Sequence, residues 1–163
     1  MTKTKWKTVS PCNGELSFSS PLDLQSSTIE VPANLTDQIK NISMSSNVDN
    51  GVFLLTVQCV EYHAGFEADI RRVSSTTDAE LSKLGGTDIV YQSEAVELNG
   101  ISGIKQEGSL TKDGTVMDFV NLIYHHDARL WQVMFAHEQH DLFGYAAGDN
   151  ITRSIAINLT SNK

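Results

Sequence analysis

The stretch Thr115-Val116-Met117-Asp118-Phe119-Val120-Asn121-Leu122-Ile123-Tyr124-His125-His126-Asp127-Ala128-Arg129-Leu130-Trp131-Gln132-Val133-Met134-Phe135-Ala136-His137 decides the fold. It is two runs of strand-forming residues around a polar turn at His126 to Arg129. Pairing His125 with Leu130 gathers Asp118, Val120, Leu122 and Tyr124 with Trp131, Val133, Phe135 and His137 on one face. The other face carries Phe119, Asn121, Ile123 and His125 with Leu130, Gln132, Met134 and Ala136. The first set is almost wholly apolar and the second is mixed, whereas a one-residue slip scrambles both. Upstream, Asp113-Gly114 and Asn99-Gly100 tolerate the positive φ of tight hairpins. They predict strands near 101–111 and 89–98, so residues 89–137 read as a four-stranded antiparallel meander.

Before the meander, Phe66, Ile70, Val73, Thr77, Leu81 and Leu84 recur at helical spacing, which predicts one long surface helix ended by Gly85-Gly86. Asn41–Ser46 and Val52–Tyr62 read as strands joined across Asn47 to Gly51, with Asn50-Gly51 as the turn. Two shorter extended pieces, Glu15–Ser19 and Thr28–Val31, end at Pro21 and Pro32. After His137, Phe143, Ala147, Ile151 and Ile155 lie four apart. Gly144 and Gly148 weaken that helix and predict a break between a segment near 138–147 and another near 150–156. Residues 1–14 read as irregular, and residues 1–163 as a single domain.

The chain has 163 residues, with 12 basic against 20 acidic side chains and a net charge of −8. Such a balance argues against nucleic acid and against charge-driven docking on anionic lipid. The longest apolar stretch, Val52 to Val60, is too short and too interrupted for a membrane span. No apolar segment follows Lys3, Lys5 and Lys7, so the expectation is a soluble protein, cytoplasmic as written or exported if a leader was trimmed. Two cysteines leave the redox compartment open. Cys59 alternates with Phe53, Leu55 and Val57, which reads it as a buried, unpaired strand residue. A bridge to Cys12 is the alternative.

Four of the five histidines fall between 125 and 140. Seven strand residues separate the two pairs by roughly 20 Å, so they cannot share one ion. The pairing above sets Asp118 beside His137, and His137 and Asp141 are four apart. Asp118, His137, His140 and Asp141 are therefore the candidate metal- or small-ligand cluster, weighed against a strand-end histidine partnered by a carboxylate. His125, His126, Asp127 and Arg129 sit at a hairpin tip and are the candidate partner contacts, weighed against plain solvated turn residues. No nucleophile elbow, phosphate loop or dinucleotide fingerprint is present, so the residues imply no enzyme and no cofactor.

Leu16-Ser17-Phe18-Ser19-Ser20-Pro21, Leu130-Trp131-Gln132-Val133-Met134-Phe135 and Ile151-Thr152-Arg153-Ser154-Ile155-Ala156-Ile157 stand in the relative places that resemble the PsbP-like family. That family includes an extrinsic photosystem II subunit and a Ran-GTPase-binding import factor. The resemblance implies an α+β fold: a central antiparallel sheet flanked by helices, a three-layer α/β/α sandwich. It further implies a non-enzymatic binding or accessory role toward a protein partner, and it transfers no functional residue.

Overall fold

The computed structural model describes residues 6–47 and 53–159. In chain order its elements are β1 (Lys7–Val9), β2 (Leu16–Ser20), β3 (Gln25–Ile29), a 3-10 turn (Ala33–Leu35), β4 (Ile39–Ser46), β5 (Phe53–Tyr62), α1 (Ile70–Ser75) and α2 (Thr77–Lys83). Then follow β6 (Thr87–Leu98), β7 (Ile101–Lys112), β8 (Thr115–His126), β9 (Arg129–Glu138), α3 (Leu142–Ser154) and β10 (Ala156–Ile157). The chain is α+β. A seven-stranded antiparallel sheet runs β3-β4-β5-β9-β8-β7-β6, and a small sheet runs β1-β2-β10. The expected Asn50-Gly51 turn lies outside the described residues.

The meander forms as its turns dictate. Asn99 and Gly100 have φ of 50° and 87°, and Asp113 and Gly114 have 52° and 78°. Paired left-handed residues give the turn whose twist matches the flanking strands. His125 faces Leu130 and Asp118 faces His137, the register expected from the faces. Side chains pack against both faces. Leu122, Tyr124, Trp131, Val133 and Phe135 pack with Leu16 and Phe18 of β2 and with Ala147 and Ile151 of α3. On the opposite face Ile123 and Leu130 meet Ala68, Ile70 and Val73, while Phe119 and Ala136 meet Leu81.

The mixed composition of that second face has a structural use. Gln106, Asn121 and Gln132 project from three neighbouring strands and are 1%, 0% and 6% exposed. Gln132 Nε2 donates to Asn121 Oδ1 at 2.9 Å, and Asn121 Nδ2 donates to Gln106 Oε1 at 3.0 Å. Gln106 Nε2 in turn donates to the Ser74 carbonyl at 2.9 Å. The Thr77 hydroxyl joins this network by bonding Gln106 Oε1 and the Ser74 carbonyl. Drawing Thr77 inward breaks the expected long helix, because Thr76 leaves helical geometry between α1 and α2. Phe66 and Leu84, the ends of the expected stripe, stay 40% and 53% exposed. The C-terminal stop is as expected: Gly85, at φ 93°, donates to Ser82, and Gly86 donates to Leu81.

Four other expectations are corrected. Lys7–Val9, in the stretch expected to be irregular, pairs with β2 as β1, and Ala156, expected to end the closing helix, instead begins strand β10 with Ile157. The break expected between 147 and 150 is absent, and α3 runs unbroken for 13 residues. Its glycines are the places where the helix touches the sheet: a Cβ on Gly148 would lie 2.5 Å from Phe135 Cε1, and one on Gly144 would enter the His137 ring. Finally, Cys59 is buried as expected but not unpaired. It is bridged to Cys12, with Cα atoms 6.1 Å apart.

The glycine contacts set the sign of a substitution. Alanine favours a helix interior over glycine by about 1 kcal/mol. Overpacking a rigid, buried ring costs about 1–3 kcal/mol or more, and Phe135 is 3% exposed. Gly148→Ala is therefore expected to lower stability by about 1 kcal/mol net in urea unfolding. A raised midpoint would contradict the close approach.

Candidate functional site

Seven strands about 4.8 Å apart make a sheet about 30 Å across, and one helix about 10 Å wide cannot cover it. On the face that α3 occupies, helix and β2 lie over β5, β9 and the Leu122–Tyr124 end of β8. Toward Val90, Lys105 and Asp118 the same face of β6, β7 and β8 is left as the floor of an open cleft of about 800 Å³. Val90 and Gln92 of β6, Lys105 and Glu107 of β7, and Asp118 and Val120 of β8 line that floor. Tyr145, Asp149 and Thr152 of α3 line its wall. Their spacing is i, i+4, i+7, one stripe along the helix, while Gly144, Ala147, Gly148 and Ile151 form the buried stripe.

Asp118 sits where floor and wall meet. It accepts from the Tyr145 hydroxyl and from Gln139 Nε2 at 3.2 Å. Donating to that carboxylate pushes the Tyr145 phenol above its ordinary pKa. Lys105 is 3.8 Å from Glu107, and Asp149 is 2.8 Å from Arg153. Both acids thus have a cation at hand, whereas the two donors on Asp118 are neutral.

His137 also borders the cleft but is 4% exposed. Its Nδ1 donates to the Glu138 carbonyl at 2.8 Å. The ring stacks on Phe53 at 6.1 Å and takes the edge of Tyr145 at 4.6 Å. Register places it opposite Asp118, yet Asp118 bonds Tyr145 and Gln139 instead. Asp141 caps α3 by accepting from Phe143 N at 3.2 Å, and His140 is exposed at φ 70°. Each of the four sequence candidates thus has its own surroundings. Among the described residues no group of three or more His, Cys, Asp or Glu is placed to hold a metal ion.

At the hairpin tip, Arg129 is engaged within the fold. Its guanidinium lies 2.6 Å from Glu15 and 3.7 Å from Glu61, and Glu15 also accepts from Trp131 Nε1 at 3.3 Å. His125 is half-buried, while His126 and Asp127 are exposed and 3.4 Å apart. The tip borders a shallower hollow of about 400 Å³ that includes Lys40, Glu61 and His63. The sequence reading named Asp118 and His137 but missed Tyr145 and Lys105. Tyr145 was findable in the polar stripe of α3 once that helix is read as continuous. Lys105 had no signal, being an alternating polar residue on a strand.

No family model and no curated protein matches the chain. Solved structures do. It is similar to cyanobacterial PsbP (CyanoP) from Synechocystis sp. PCC 6803, at 10% identity and a TM-score of 0.63, over 96% of this chain and 95% of that one. A protein from Bacteroides thetaiotaomicron aligns at 12% identity and a TM-score of 0.53, over 96% of this chain, which spans half of that protein's length. The end-to-end coverage of both this chain and CyanoP makes the fold of this chain PsbP-like.

Proposed function

We propose that this chain is a non-catalytic binding or accessory domain, one α/β/α sandwich of three layers, that engages a protein partner through the cleft beside β6. The observation that carries it is the open floor of β6–β8, a concave surface of about 800 Å³ that adjoins an edge strand of 12 residues. That edge has backbone to offer. The two-residue turn makes Leu98–Ile101 a hydrogen-bonded pair, so the groups of Tyr91, Ser93, Ala95 and Glu97 point away from β7. Edges of this kind accept added strands. His126 and Asp127 at the far hairpin tip supply a subsidiary contact, with His125 beside them, while Arg129 serves mainly to hold Glu15. The Cys12–Cys59 bridge supports work in an oxidising compartment, hence the exported alternative.

A photocrosslinking residue placed at Gln92, on the cleft side of β6, tests this in the source organism. A discrete adduct from position 92, with none from the opposite sheet edge at Thr28, is the expected result. Adducts from both positions or from neither would overturn the reading.

A further inference from the structure

We infer that the cleft receives a lysine or arginine from an extended basic segment of that partner, with Asp118 as its counter-ion; this rests on the binding reading above. Charge selects the ligand. Lys105, Glu107, Asp118 and Asp149 line the cleft, so its ionised groups sum to −2. Lys105 is matched by Glu107 and Asp149 by Arg153, while Asp118 is held by the neutral donors of Tyr145 and Gln139. Its negative charge is the one that an incoming cation can neutralise without displacing a resident one.

Shape and polarity agree. Val90 is 63% exposed and Tyr145 43% exposed, and both border the cleft. A long aliphatic stem covers such surface while its charged head reaches a carboxylate, and the face of a tyrosine attracts a cation. The floor from β6 to β8 is about 10 Å wide, which an extended segment crosses in about three residues. A second copy of this chain is a poor occupant, since it brings its own net charge of −8 to an acidic cleft. Nucleic acid and anionic lipid are disfavoured for the same reason.

The test titrates the full oxidised chain with the capped hexapeptide Val-Lys-Val-Arg-Val-Lys, its glutamate counterpart and spermine, followed by amide chemical shifts. The basic peptide is expected to move Val90, Gln92, Asp118 and Tyr145 saturably, and more weakly as salt is raised. Asp118→Asn keeps an acceptor for Tyr145 and should weaken binding about tenfold. Lys105→Gln removes a competing cation and should tighten it about threefold, a gain that misfolding cannot imitate. Equal response to the glutamate peptide, an unchanged Asp118→Asn affinity, or spermine binding as well as the peptide would each overturn the inference. If the Gln92 adduct forms while the basic peptide does not bind, only this inference fails. If both are absent, the binding reading falls with it.

Discussion

Unfolding in urea under reducing conditions is expected to report a chain about 4 kcal/mol less stable than the oxidised one. The bridge closes a loop with a sequence separation of 47. In the chain-entropy account a loop of that length removes about 4 kcal/mol of freedom from the unfolded state. For a domain of this size the loss corresponds to a melting temperature lower by about 12 °C. The double variant Cys12→Ser/Cys59→Ala should match the reduced wild type and should not respond to reductant. Coincident oxidised and reduced transitions would show that the two thiols are not joined in solution. The effect should concentrate near the small sheet, because Cys12 lies between β1 and β2 while Cys59 belongs to the core under them.

Asn121→Ala is expected to cost about 3 kcal/mol, although the residue touches no cleft and no surface. Asn121 is fully buried between Gln106 and Gln132. Truncating it removes both bonds and strands the Gln132 amide in a buried place, a penalty of about 1–3 kcal/mol on top of the bonds themselves. A cavity adds to this. The loss should appear as a lower urea midpoint at constant slope. Replacing the three partners together, as Gln106→Met/Asn121→Leu/Gln132→Leu, should recover most of it, since removing every partner of a buried polar group is far cheaper than removing one. A triple variant less stable than Asn121→Ala would mean that the network contributes more than its own satisfaction.

How much of this was legible beforehand follows from which forces are local. The hairpins at Asn99-Gly100 and Asp113-Gly114 are short-range events, and alternation around His126–Arg129 fixed one register, so β6 to β9 appear where the sequence places them. The helix readings failed where tertiary contact overrode propensity. Gly144 and Gly148 are poor helix residues alone and necessary ones against His137 and Phe135. Thr77 fits an apolar stripe by spacing, but its hydroxyl binds Gln106 across the sheet and interrupts the helix. Pairing of Cys12 with Cys59 depends on where β2 docks, which no local pattern encodes. At the candidate site, register brought Asp118 opposite His137 as expected, yet its hydrogen-bond partner came from α3. A histidine opposite an aspartate is a neighbour, and side-chain direction decides whether it is a ligand.

The small sheet has a mechanical consequence. β1 and β10 both run antiparallel to β2 and flank it, with Lys7 beside Ser20 and Ile157 beside Leu16. The chain therefore enters and leaves at opposite ends of one strand. A pull on the two ends loads β1 and β10 along their length, a shearing geometry in which several backbone hydrogen bonds must fail together instead of peeling singly. Should β1 slip, the tension passes to Cys12 and through its covalent link to Cys59 in the sheet. The stretch between Cys12 and Cys59 is thereby shielded from extension. Such a domain resists unravelling from its ends.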